Sequence, residues 1–279
     1  MTDDIEPRPF DPDDVLDVTD DDFEGSVAVV TGGGSGIGKS TALTLAENGL
    51  TVVATDIDED GLARTEERAA EFDLEVETVA GDLTEDGDVE RIVEEAAALG
   101  DLRYVANIAG LQHIDSIEEF PMEQYDFMQR VMLRAPLYLA KLAFPHMREA
   151  GGGCVGNMCS VHGHYVTRDK VAYNVSKFGL RGLTQSIAAE GDGDIRAFSI
   201  SSAYVKTPLV TNQIADTAES RGIDEREVVE DVMLGEARTK EMMEPVEVGN
   251  LFAFGFSKHA RHLNGGDLLW DGGYTLTYD

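Results

Sequence analysis

From Ser26 onward the chain alternates between short runs of β-branched and apolar residues and longer stretches in which apolar positions recur every three or four residues. The runs at 27–31, 51–56, 75–80, 104–108, 153–160, 195–201 and 267–270 read as strands, and the stretches near 37–49, 59–72, 86–98, 122–149, 171–190 and 245–257 as helices. Strands that are apolar nearly throughout are buried on both faces, and strands separated by helix-length segments pair in parallel. The pattern predicts an α/β fold, one doubly wound parallel sheet with helices on both faces, over residues 23–279. No repeat period stands out. One stretch, about 207–243, breaks the alternation, is rich in charge and is marked by Gly222 and Gly235. Beyond a strand's carboxyl end it is placed as a small helical substrate lid, with a merely decorative surface pair of helices as the alternative.

A length of 279 residues is enough to bury a sizeable core in a single domain. Composition changes the picture through charge, which is −32. Eleven acids and one base, Arg8, in residues 1–24 account for −10, so the body carries about −22 and is acidic in its own right. Residues 1–22, with Pro7, Pro9 and Pro12 among the acids, read as a flexible or loosely docked extension. A surface this negative excludes nucleic acid and anionic membranes as partners. Screening by concentrated salt relieves such self-repulsion, so the composition points to a halophilic cytoplasm, with an ordinary acidic protein as the alternative. Cys154 and Cys159 are the two cysteines, five apart on one expected strand and therefore on opposite faces, where they cannot pair. With no secretory or membrane-length apolar run, a soluble cytoplasmic protein is expected. The histidine spacings offer no metal site.

The glycine turn Thr31-Gly-Gly-Gly-Ser-Gly-Ile-Gly38 falls between the first strand and the first helix. Backbone amides and the positive helix end there can receive a pyrophosphate, which makes the fold Rossmann-type. Gly32, Ser35, Gly36, Ile37 and Gly38 are its candidate residues. Asp56 ends the second strand, where a carboxylate accepts hydrogen bonds from an adenosine ribose and repels a 2′-phosphate. With no Arg or Lys at position 57 or just before Gly36, NAD is favoured over NADP. Asp82 and Leu83 after the third strand, Asn107, Ala109 and Gly110 after the fourth, and Val205 and Thr207 after the sixth complete the expected cofactor contacts.

Tyr173 and Lys177 stand four apart on one helical face, thirteen and seventeen residues after Ser160. A free tyrosine ionises near pH 10. The Lys177 ammonium and the positive nicotinamide ring of an oxidised cofactor are expected to lower that value, so that Tyr173 moves the proton, Ser160 hydrogen-bonds the reacting oxygen and Lys177 also holds the cofactor.

From about Phe23 to Tyr274, the glycine turn, Asn107 to Gly110 and the Ser160, Tyr173, Lys177 set follow the order of classical short-chain dehydrogenases/reductases, which this chain resembles. Within that family, Leu111-Gln112-His113, Ser160-Val-His162-Gly, Asp169-Lys170-Val-Ala-Tyr173, the Tyr204 to Ile214 stretch and Trp270-Asp-Gly-Gly-Tyr274 are similar to the 3-hydroxybutyrate dehydrogenases. The resemblance implies reversible, NAD-dependent oxidation of (R)-3-hydroxybutyrate to acetoacetate. It also implies that Gln112, His162, Lys170 and Gln213 hold the substrate carboxylate, that Tyr204 packs on its carbon chain, and that the protein is a homotetramer. Another small hydroxy acid, alcohol or sugar, or a non-catalytic NAD-binding regulator or scaffold, are the alternatives. Three positions depart from the family pattern: Met132 and Ile108 stand where Asn is usual, and Ser202-Ala203 replaces Pro-Gly before Tyr204.

Overall fold

The computed structural model describes residues 5–18 and 23–276; the rest of the acidic extension and residues 277–279 lie outside the described residues. Seven strands, β1 Ser26–Thr31, β2 Thr51–Asp56, β3 Val76–Ala80, β4 Asp101–Asn107, β5 Gly153–Met158, β6 Ile195–Ser202 and β7 Gly266–Trp270, form one sheet. Their order is β3-β2-β1-β4-β5-β6-β7, and every neighbouring pair is parallel. The helices are α1 Gly36–Glu47, α2 Glu59–Ala70, α3 Asp86–Leu99, α4 Met122–Gln129, α5 Ala135–Glu149, α6 Val171–Glu190, α7 Pro208–Arg221, α8 Glu225–Glu227 and α9 Pro245–Phe256. No described helix is long and apolar enough to cross a membrane.

The central strand shows why the sheet must be covered twice. Ala28 and Val30 of β1 join an apolar layer with α1 and α9, through Ala42, Leu45, Val248 and Phe252. Their neighbours Val27 and Val29 join the opposite layer with α3 and α5, through Val89, Ile92, Leu139 and Ala143. All six residues of β1 are buried. At about 1.5–3 kcal/mol for each fully buried large aliphatic side chain, these two layers supply the main drive for folding. Strand order reverses between β1 and β4, so a crevice opens there at the carboxyl edge.

Two elements differ from expectation. The helix predicted over 122–149 is interrupted by a π-helical segment, Arg130–Arg134, between α4 and α5. The fifth strand stops at Met158, because Ser160 caps a short 3-10 turn, Val161–Gly163, its hydroxyl accepting from the amide of His162. Residues 5–18, read as flexible or loosely docked, lie against the body: Phe10 is buried against Leu43, Phe72 and Val246, and Leu16 N–H bonds Asn250 Oδ1 at 2.8 Å. These contacts are made by the few apolar residues and the backbone, which composition does not weigh.

Candidate active site

A cavity of about 440 Å³ opens at the strand-order reversal. One end is the β1–α1 turn. Gly36 takes a left-handed φ of 50°, open to glycine at no steric cost. Gly38 lets α1 lie against the Gly32 carbonyl, where any Cβ would collide. α1 begins with no acid in its first turn and no side chain capping its amides, whereas α2 and α3 begin with Glu59, Asp60, Asp86 and Asp88. An anion suits that uncapped, positive end. The turn is braced from two sides: Thr65 Oγ1 donates to the Gly33 carbonyl at 2.8 Å, and Asp56 Oδ2 accepts from Gly34 N–H at 3.0 Å.

Thr31 ties this end to β4, its Oγ1 accepting from the amides of Ile108 (2.9 Å) and Ala109 (3.0 Å). The chain after β4 therefore passes close over the glycine turn, and Ile108, Ala109 and Gly110 line the cavity. Asn107 does not. It is buried, with Nδ2 donating to Asn157 Oδ1 at 2.8 Å, and Asn157 in turn donates to Thr184 at 2.9 Å. Its placement locks the ends of β4 and β5 to α6. The other expected cofactor residues, Gly32, Ser35, Gly36, Ile37, Gly38, Asp56, Asp82, Leu83, Ala109, Gly110, Val205 and Thr207, all face the cavity. So do Ile57, Gly81, Phe127, Val131, Leu209 and Val210, which sequence reading missed. Phe127 and Val131 lie four apart on the long helix, a spacing that marks one face and was the available signal.

Ser160, Tyr173 and Lys177 form the far wall. Ser160 caps its 3-10 turn, and its Oγ lies 3.3 Å from His162 Nδ1. Gln129 Nε2 binds the Ala172 carbonyl and Ser176 Oγ, both at 3.0 Å, fixing α6 against α4. Lys177 is buried and donates to the Met158 carbonyl at 2.7 Å. Burial lowers its pKa to about 8. Burial also pushes the Tyr173 phenol up to about 12, against the pull of the Ser160 hydrogen bond. Burial thus desolvates both groups, each toward its neutral form. At neutral pH the Tyr173 hydroxyl is protonated and able to donate.

None of the expected substrate residues lines the cavity. His162 packs edge-on to Tyr173, with ring centres 5.5 Å apart, and bonds Thr167 Oγ1 at 3.0 Å. Burial, then Lys170 and Lys177, lower its pKa to about 4, so it is neutral. A backbone bridge pairs Asp115 with Lys170, laying the segment after Gln112 beside the start of α6. The Gln112 amide oxygen is buried without a partner. Tyr204 lines a neighbouring cavity of about 380 Å³. Gln213 lies on α7, and no hydrogen bond among the described residues joins it to Gln112 or Lys170. The lid predicted over 207–243 contains α7, α8 and a π-helical segment, Val228–Met233, around an apolar cluster of its own. Met132 is buried in the π-helical segment with Met128 and Ala172. Among the described residues no His, Cys, Asp and Glu group is arranged to hold a metal.

A protein-family model described as Enoyl-(Acyl carrier protein) reductase matches residues 32–275, and the chain belongs to the short-chain dehydrogenase/reductase family of oxidoreductases. Its likeness runs to 3-hydroxybutyrate dehydrogenases. It is 34% identical over 252 residues to the D-beta-hydroxybutyrate dehydrogenase of Rhizobium meliloti, covering 89% of this chain and 98% of that protein. It is 30% identical over 254 residues to the D-beta-hydroxybutyrate dehydrogenase of Cupriavidus necator, covering 90% and 98%. The crystal structure of levodione reductase superposes with a TM-score of 0.85 at 29% identity, over 92% of this chain and 100% of that one. One fold therefore serves relatives named for different substrates, and the substrate must be argued from the site.

Proposed function

We propose that the protein is an NAD-dependent dehydrogenase that interconverts (R)-3-hydroxybutyrate and acetoacetate. The observation that carries the reading is the single cavity joining an uncapped glycine turn and Asp56 to Ser160, Tyr173 and Lys177. The turn amides would hold the pyrophosphate and Asp56 the adenosine ribose, and the dinucleotide would supply or accept the hydride. In the reductive direction Tyr173 gives its phenolic proton to the carbonyl oxygen as hydride reaches the carbon. Ser160 orients that oxygen, and Lys177 holds the nearby ribose. NAD is supported by Ile57, largely exposed where a 2′-phosphate would need a cation.

A carboxylate on the substrate is supported by Lys170. Burial lowers its pKa and it makes no salt bridge among the described residues, so an anion would relieve the cost of desolvation. Gln112 stands in the segment beside it, where its amide nitrogen would be the donor to such a carboxylate. A second reading, a less polar small alcohol, is favoured by Phe127, Val131, Leu209 and Val210 on the cavity wall. The deciding assay offers (R)-3-hydroxybutyrate, its methyl ester and simple alcohols with NAD or NADP, in low and high KCl. Acid oxidised faster than ester, with NAD preferred, is the expected result; equal rates for acid and ester would discard the Lys170 anchor.

A further inference from the structure

The N-terminal segment reaches the cavity through one carboxylate. Glu244, the cap of α9, is 8% exposed. Its Oε1 accepts from Lys206 Nζ at 2.8 Å and its Oε2 from the backbone N–H of Arg8 at 3.0 Å, while the Arg8 side chain contributes an ion pair, Nε 3.5 Å from Oε1. Burial opposes its charge, but the Lys206 and Arg8 hydrogen bonds prevail and hold the carboxyl below its usual range. On the far side, Lys206 belongs to the loop whose neighbours Val205 and Thr207 line the cavity. That loop pairs with the residue before Glu244: Lys206 N–H bonds the Met243 carbonyl at 2.9 Å, and Met243 N–H bonds the Tyr204 carbonyl at 3.0 Å. Thr207 in turn packs on the glycine turn, 3.1 Å from where a Cβ on Gly36 would stand.

The remainder of the segment is anchored on rigid elements. Arg68 donates to the Phe10 carbonyl, Asn250 bridges the Asp14 carbonyl (2.9 Å) and the Leu16 amide (2.8 Å), and Val18 N–H bonds Asn48 Oδ1 at 3.1 Å. Ile5 packs against the apolar cluster of the lid. We infer that Arg8, Glu244 and Lys206 form a clamp by which the N-terminal segment positions the 203–207 loop over the cavity, making Arg8 a positioning residue for cofactor binding. The inference rests on reading the cavity as a dinucleotide site. Arg8 touches neither the cavity nor the reacting groups; it restricts the loop through Glu244, and so acts on affinity before turnover.

The test uses the full-length chain with Arg8→Ala, Arg8→Lys and Glu244→Gln. Amide hydrogen exchange over 203–210 is read first, then NAD affinity by titration, then kcat. Arg8→Ala is expected to speed exchange in that loop and weaken NAD about two- to fivefold with kcat unchanged. Arg8→Lys should restore most of both, and the gap between Arg8→Ala and the parent should narrow from 0.1 to 3 M KCl as the pair is screened. Glu244→Gln should loosen the same loop. Unchanged exchange in both Arg8→Ala and Glu244→Gln, or loosening spread evenly over α9 with no local effect, would overturn the clamp. A parent that binds neither NAD nor NADP would instead overturn the dinucleotide reading, while exchange still decides the clamp.

Discussion

The Lys177 ammonium lies 5.3 Å from the centre of the Tyr173 ring, one helical turn away on α6, while it donates to the carbonyl of Met158 at the end of β5. The lysine is thereby fixed between helix and sheet, and the tyrosine above it inherits that position. Proton transfer by one placed side chain contributes about 10²–10⁴-fold. Tyr173→Phe should therefore lower kcat by about that factor and leave dinucleotide affinity within about threefold, as read by steady-state rates beside a binding titration. Turnover equal to the parent would remove Tyr173 as the acid.

Lys177 also sets a pH dependence of stability. Its folded pKa of about 8 lies below its ordinary value of 10.5. Between those limits the unfolded chain binds the extra proton, so this group's contribution to stability rises with pH across the window, at about 1.4 kcal/mol per unit at most. Urea melts of the parent and Lys177→Met at pH 7.5 and 9.5 should show the parent gaining on the variant. Taking the difference cancels the Tyr173 and cysteine titrations shared by both chains.

Two glycines in helices should respond in opposite ways. A Cβ at Gly38 would strike the Gly32 carbonyl oxygen, which is backbone and cannot swing aside. Gly38→Ala should cost about 1–3 kcal/mol or more and weaken dinucleotide binding, since the turn must open. Gly182, exposed in the middle of α6, has nothing near its missing Cβ. Gly182→Ala should add about 1 kcal/mol, seen as a higher melting temperature.

Met132 stands where the resemblance to the family leads to the expectation of an Asn. It is 1% exposed, its thioether cannot relay a proton, and its Sδ stands 3.8 Å from the Cβ position of Gly110. Met132→Leu, close in volume, should cost less than about 1.5 kcal/mol and leave the pH profile of kcat unmoved. A shifted profile would assign the π-helical segment Arg130–Arg134 a part in the proton path.

The sheet was legible because periodicity reports burial: β2 and α6 fall on 51–56 and 171–190 as read from the pattern alone. The glycine turn and the Ser160, Tyr173, Lys177 set were legible because each pairs a residue type with a place at the strands' carboxyl edge. What escaped depends on side-chain direction and desolvation. Asn107 has a strand-end position like that of the cavity residues, yet its amide turns inward to Asn157. The phenol of Tyr173 is raised because its surroundings exclude water, which spacing from Lys177 does not encode. Docking of residues 5–18 hangs on single contacts such as Phe10 on Phe72, invisible in a stretch whose average is acidic.

Ile214, Val228, Met233, Leu234 and Met242 gather into an apolar cluster separate from both layers that sandwich the sheet. A module with its own interior can be exchanged between relatives without repacking the scaffold beneath it. An exchange that keeps this interior whole therefore runs from 208 to 242 and leaves the strands and the Ser160, Tyr173, Lys177 set as they are.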